Sequence, residues 1–306
     1  MTSVQFANHL KIPVRLCALA LLTSHWSLAY AATSIDEHRA ASPQGAVEID
    51  NVAGSIDVQG WDKPEVAVTG SIGKDVERVD VTGDGNRTSI RVVLPRGMHW
   101  GMHDGEANLV IRVPTNSSVS ASLVSSDLKV SAVRGALELR TVTGNISGDG
   151  GGDLRANDVS GDIHFTAMAA KRIEVKAISG DIVLTGGNTD IEASSVSGDA
   201  HLTLGTVSRA RFKTVSGNIA ATLAAAPDAQ IDGETVSGDI RLDFAGEPAA
   251  DFDVQTLSGD IDNCFGPKPV EPRHGPGKRL TFKTGETSAR VHLTSNSGEV
   301  RLCAKR

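Results

Sequence analysis

Val159-Ser160-Gly161-Asp162-Ile163 decides how this chain folds, because nearly the same words return along it. They recur as Ile178-Ser179-Gly180-Asp181-Ile182, Val196-Ser197-Gly198-Asp199-Ala200 and Val215-Ser216-Gly217-Asn218-Ile219. Val236-Ser237-Gly238-Asp239-Ile240 and Leu257-Ser258-Gly259-Asp260-Ile261 follow. Variant copies precede them around Ser126 and Gly144, and the central residues lie 17 to 21 positions apart. A period near twenty with short strands is the signature of a solenoid rather than of a compact mixed domain.

Counting from the central residue, apolar side chains stand two and four positions after it, as in Ile163 with Phe165 and Ile182 with Leu184. A second apolar pair stands seven and five positions before it, as in Ile173 with Val175 and Phe252 with Val254. Spacing of two places side chains on one strand face, so each unit carries two half-buried strands that cannot bury that face alone. Apolar residues two before the centre, such as Val159 and Ile178, break the alternation, so a bend is expected there, with Gly permitting it and Ser and Asp bonding the local backbone. The expected fold is all-β: a single-stranded parallel β-solenoid of about 20 residues per turn, right-handed by the crossover rule.

Outward from the repeats, Val47 to Val58 fits the same template with Gly54 at its centre, so the coil is expected to begin there. The segment up to 118 departs from the period and reads as an irregular first turn or a capping sheet. Residues 32–44 read as a flexible leader, 119–263 as regular repeats, and 264–306 as a proline-rich excursion closed by a last copy around Gly298.

The first 31 residues read as a secretory signal: Lys11 and Arg15 precede the apolar run Leu16–Leu22, with cleavage expected after Ala31. No segment of the mature chain is apolar enough to be expected to span a membrane. The formal charge is −7. Loss of those 31 residues, with their two cations, would leave the product still more acidic, which argues against nucleic acid and anionic lipid as partners. A periplasmic, secreted or cell-surface location is therefore expected.

Cys264 and Cys303 each stand five positions after their central glycine. On neighbouring turns such positions would lie about 5 Å apart, within disulfide reach. A disulfide is the favoured reading for an exported chain, ahead of two free thiols or a metal pair.

The opening Val47 to Asp62, the Leu109-Val110-Ile111-Arg112-Val113-Pro114 segment, the Ser-Gly-Asp-Ile repeats and the Cys264/Cys303 tail resemble the bacterial DUF4097 family. That family is described as putative adhesins with β-strand repeats. The resemblance covers about residues 45 to 306 and implies an exported β-solenoid.

The row after the centre (Asp127, Asn145, Asp162, Asp181, Asp199, Asn218, Asp239, Asp260, Glu299) suits turn acceptors better than calcium, because Asn alternates into it. Met98, His99, Met102 and His103 collect soft and imidazole ligands in a loop, a candidate metal site without a fixed element to orient it. His164 and His201 are separated by the equivalent Val183 and read as exposed strand positions. Trp61 is expected to cover the end of the core, and Trp100 is the better contact candidate. No acid–base pair stands apart from the monotonous row, so no catalytic residue and no cofactor is expected.

The leading functional expectation is a non-catalytic, adhesin-like binding or scaffold protein whose partner is an envelope glycan or protein, with end-to-end self-association also possible. An envelope-stress or signalling component and a β-helix carbohydrate-active enzyme are the alternatives.

Overall fold

The computed structural model of the protein describes residues 33–95, 105–271, 276–286 and 288–305. The expected cleavage site at Ala31 and the Met98, His99, Trp100, Met102 and His103 loop lie outside the described residues. Within them the secondary structure is all β. Four strands run into a corner: β8 (Leu137–Thr143), β10 (Leu154–Ser160), β12 (Arg172–Ser179) and β14 (Asp190–Ser197). Three leave one: β9 (Ile146–Gly150), β11 (Ile163–Ala167) and β13 (Ile182–Gly186). Two longer strands, β15 (Ala200–Ser216) and β16 (Ile219–Ser237), leave one corner and run on into the next.

Parallel ladders join these strands layer to layer. On one side Leu154 pairs with Ile173, Ile173 with Ile191, Ile191 with Ala210 and Ala210 with Ile231. On the other, Ile163 pairs with Ile182, Ile182 with Ala200, Ala200 with Ile219 and Ile219 with Ile240 of β17 (Ile240–Phe244). Ile163, Ile182 and Ile240 therefore share one axis, and all three are buried. Each such isoleucine removed from water contributes about 1.5–3 kcal/mol, which no single repeat can realise without its neighbours. The result is a β-solenoid-like stack, largely parallel, with antiparallel strands at its ends.

One sequence expectation is corrected inside the repeat. Alternation continues unbroken to the position three before the centre, so Thr141, Asp158, Ala177, Ser195, Thr214, Thr235, Thr256 and Ser295 point inward and are buried. The apolar residues two before the centre point out: Val142, Val159, Ile178, Val196, Val215, Val236 and Leu257 are among the exposed large hydrophobics. The bend lies at the corner glycine, as expected, but the apolar residue two before it belongs to the outer face.

Layer order departs from chain order at both ends. β2 (Ala46–Trp61) pairs in parallel with β7 (Ser118–Val133) on one side and with β5 (Arg87–Val93) and β6 (Ala107–Pro114) on the other. The first turn is thus an inner layer. Antiparallel strands cover the outer side: β4 (Arg78–Gly83) on β5, and β3 (Glu65–Ile72) on β6. Residues 33–40, expected as flexible leader, form β1 (Thr33–Ala40), antiparallel to β3.

At the other end the last repeat, β21 (Arg290–Ser297) and β22 (Val300–Ala304), slides between two earlier ones. β21 pairs with β16 and with β18 (Ala250–Ser258), while β22 pairs with β17 and with β19 (Ile261–Asn263). The outermost layer is therefore β18–β19, with β20 (Lys278–Thr284) antiparallel along β18. Phe282 of β20 stacks on Phe252 with centroids 4.5 Å apart, sealing the core where the parallel stack ends.

Candidate functional site: the corner rows

The corner is built by close approach. A β-carbon on Gly180, Gly198, Gly217 or Gly238 would stand 2.0–2.2 Å from the carbonyl oxygen of the corner glycine one layer below. Gly298 and Gly259 continue the column, on Gly238 and Gly298 respectively, and Gly144 and Gly161 begin it, on Ser126 and Gly144. Gly54 is likewise closed in, by Ala107. Contact between backbones, more than the bend alone, dictates glycine here.

One residue later the side chains form a ladder of their own. Asn145 N–H donates to Asp127 Oδ1 at 2.8 Å, Asp162 N–H to Asn145 Oδ1 at 3.0 Å and Asp181 N–H to Asp162 Oδ1 at 2.9 Å. Asp199, Asn218, Asp239 and Glu299 N–H continue it at 2.8, 2.8, 2.9 and 2.7 Å onto Asp181, Asp199, Asn218 and Asp239. Asn serves as well as Asp because the carbonyl or carboxylate oxygen only accepts. Asp260, in the outermost layer, instead accepts Lys278 Nζ at 2.7 Å, and that bond lowers the Asp260 pKa and raises that of Lys278. The row thus acts as a set of acceptors, but from Asp127 to Asp239 the bonds go to the next layer's backbone rather than to the local turn.

A buried row runs beneath. Thr141, Thr256 and Ser295 hydroxyls donate to the corner carbonyls of Ser126, Gly298 and Gly238, at 3.5, 3.2 and 3.4 Å. Asp158 is the one acid in that row, 3% exposed, with Oδ2 lacking a partner. Burial pushes its carboxyl up to about 6 against the backbone N–H groups of Val159 and Ser160, which favour the anion.

Across the corner, then, three rows face outward side by side: the apolar row, a row of Ser from Ser160 to Ser297, and the Asx row. Sequence reasoning located the last but placed the apolar row in the core. Strict alternation from minus seven through minus five was the signal that would have turned it outward.

Other candidates fall out plainly. His164 pairs with Val183 and Val183 with His201, so one layer separates the imidazoles. Trp61 is half-buried: its indole donates to Glu65 O at 2.8 Å and Lys63 Nζ sits 4.7 Å from the ring centroid. It covers the entry to β3 and is not an open stacking platform. Cys264 and Cys303 are joined by a disulfide with Cα atoms 4.9 Å apart, linking the inserted last repeat to the outermost layer. Asp262 lies beside those sulfurs, but sulfurs bonded to each other are not thiolate ligands.

The arrangement defines a class, a repeat domain stacked through glycine corners and Asx ladders, with extended outer rows rather than a deep cleft. The chain belongs to the Toastrack DUF4097 family, whose sequence profile matches residues 45–303. Among solved structures it is similar to a putative adhesin from Bacteroides fragilis NCTC 9343, at 12% identity and TM-score 0.44, over 89% of this chain and 97% of that one. It is also similar to a putative lipid binding protein from Parabacteroides distasonis ATCC 8503, at 10% identity and TM-score 0.42, over 88% and 96%. A putative adhesin from the same strain matches at 11% identity and TM-score 0.32, over 89% and 98%. Comparison with curated proteins finds no match.

Proposed function

We propose that this is a non-catalytic, adhesin-like binding or scaffold protein, exported to the bacterial cell envelope, whose layered outer rows engage a glycan or protein. The observation carrying the reading is the set of exposed rows at the corner, where Val, Ser and Asp side chains repeat layer after layer. Many weak contacts at regular spacing suit a long polymer or a flat partner, whereas a reaction needs a few groups converging on one point. The acids of the Asx row, Asp162, Asp181 and Asp199 among them, hold backbone amides, a role that favours structure over general acid–base work. The disulfide and the signal-like first 31 residues support export, and a right-handed coil of about 20 residues per turn is the finer form we assign to the stack.

The test is co-sedimentation of the purified protein with insoluble cell-wall glycan and, in parallel, capture of envelope partners from a membrane fraction. Saturable retention on glycan supports the proposal. Selective recovery of an inner-membrane protein with no glycan retention would replace it with a signalling role, and falling viscosity of a polysaccharide solution would replace it with an enzyme.

A further inference from the structure

We infer that two copies of this chain pair side by side through the exposed apolar row, ridge against ridge. The inference rests on the same corner as the proposed function but assigns its apolar row to self-association, leaving the Asx row to the partner. Val142, Val159, Ile178, Val196, Val215 and Val236 occupy equivalent positions on successive layers and are each 41–51% exposed. They form an unbroken line with a step of about 4.8 Å. Asn296 of the inserted repeat then interrupts it before Leu257.

Size and shape name the occupant. With Leu257, the half-exposed side chains present roughly 500 Å² of apolar surface, near the top of the ~300–600 Å² found for the largest patch on a monomer. With its flanks the strip approaches the ~800 Å² per partner of a standard interface. A second copy offers the same side chains at the same layer spacing over the same length, so two ridges match in step. The knobs of one ridge then seat between those of the other, as side chains interdigitate in paired sheets. An isologous contact of this kind is self-complementary and closes at two copies.

The flanks permit the approach. On one side stands the uncharged Ser row. On the other, Lys176 and Lys213 already pair with Glu174 and Glu234 at 2.7 and 2.8 Å, so these cations enter the contact paired; Asp158, which also lines the groove beside the ridge, enters it with Oδ2 unpartnered. An open groove of about 510 Å³ between Val142, Val159 and Ile178 and the row of Arg140, Asn157 and Lys176 offers the seat for the opposing ridge.

Sedimentation equilibrium on the purified protein tests this. A monomer–dimer equilibrium is expected, and Val196→Asp with Val215→Asp should weaken it by about thirtyfold or more, because each charge would be buried unpaired. The milder Val196→Thr with Val215→Thr should weaken it severalfold, and Met168→Asp, at a more exposed apolar residue off the ridge, should leave it unchanged. A cooperative unfolding transition and an unchanged β-sheet circular dichroism spectrum would establish that the variants fold, since loss of the dimer by itself lowers the melting temperature. A wild-type protein that stays monomeric at ~100 µM, or a dimer indifferent to the ridge substitutions, would overturn the inference. Dissociation by Met168→Asp as well would overturn it too, by placing the contact elsewhere.

Discussion

Gly198 has no room for a β-carbon: the atom would stand 2.2 Å from Gly180 O, on a backbone with φ of +134°. Gly198→Ala is therefore expected to cost at least about 2 kcal/mol, read by urea denaturation, because a layer must shift to relieve the contact. Asp158 makes the opposite case. Its folded-state pKa is raised from 3.8 to about 6, so the protonated form is the one the fold favours. That stabilisation is complete below the unfolded value and is lost as pH rises through about 6. Asp158→Thr, which places there the residue that Thr141 supplies one layer away, should stabilise the protein by up to roughly 3 kcal/mol at neutral pH. The gain should shrink as pH falls through 6 toward 4, a trend measured by denaturation at a series of pH values. A variant whose advantage is flat with pH would dissociate Asp158 from the effect.

At the scale of the element, the Asx ladder ties each corner to the next. Asp181→Ala removes the acceptor for Asp199 N–H and should cost about 1–2 kcal/mol, while Asp181→Asn should cost under about half that. Thermal melts with added calcium or with chelator should coincide, since the bonds that organise the row are backbone amides. The strands themselves were legible from Ile163, Ile182 and Ile240, which recur at multiples of about twenty residues, each with an apolar residue two positions on (Phe165, Leu184, Leu242). Val159 and Ile178 misled because hydrophobicity was weighed above alternation. Thr141 and Ser295 look like surface residues until the corner carbonyls their hydroxyls bond are in view. Thr33–Ala40 carries few apolar residues and is a strand only because β3 offers an edge, a partner that local sequence does not reveal.

For the whole molecule, the disulfide and the layer order belong together. Cys264 and Cys303 meet because the last repeat is wedged inward, so the bond holds the outermost layer onto the inserted one. With a sequence separation of 39 between the cysteines, loop-closure entropy sets an upper bound of about 4 kcal/mol. Cys303→Ser should therefore lower the melting temperature and release amide protection first in β18, β19 and β22, measured by hydrogen exchange. The insertion itself was not legible: every repeat fits every other, so sequence supplies the register of each layer but not its place in the stack.

The most direct test of that stack is a set of spin-label distances from His164 to Arg241, Arg301 and Asp262, which hold equivalent positions on their layers. At about 4.8 Å per layer they should fall near 19, 24 and 29 Å, in that order. If Asp262 lies nearer to His164 than Arg301 does, the chain stacks in sequence order. If the three distances do not lengthen by layers at all, the stack is not there.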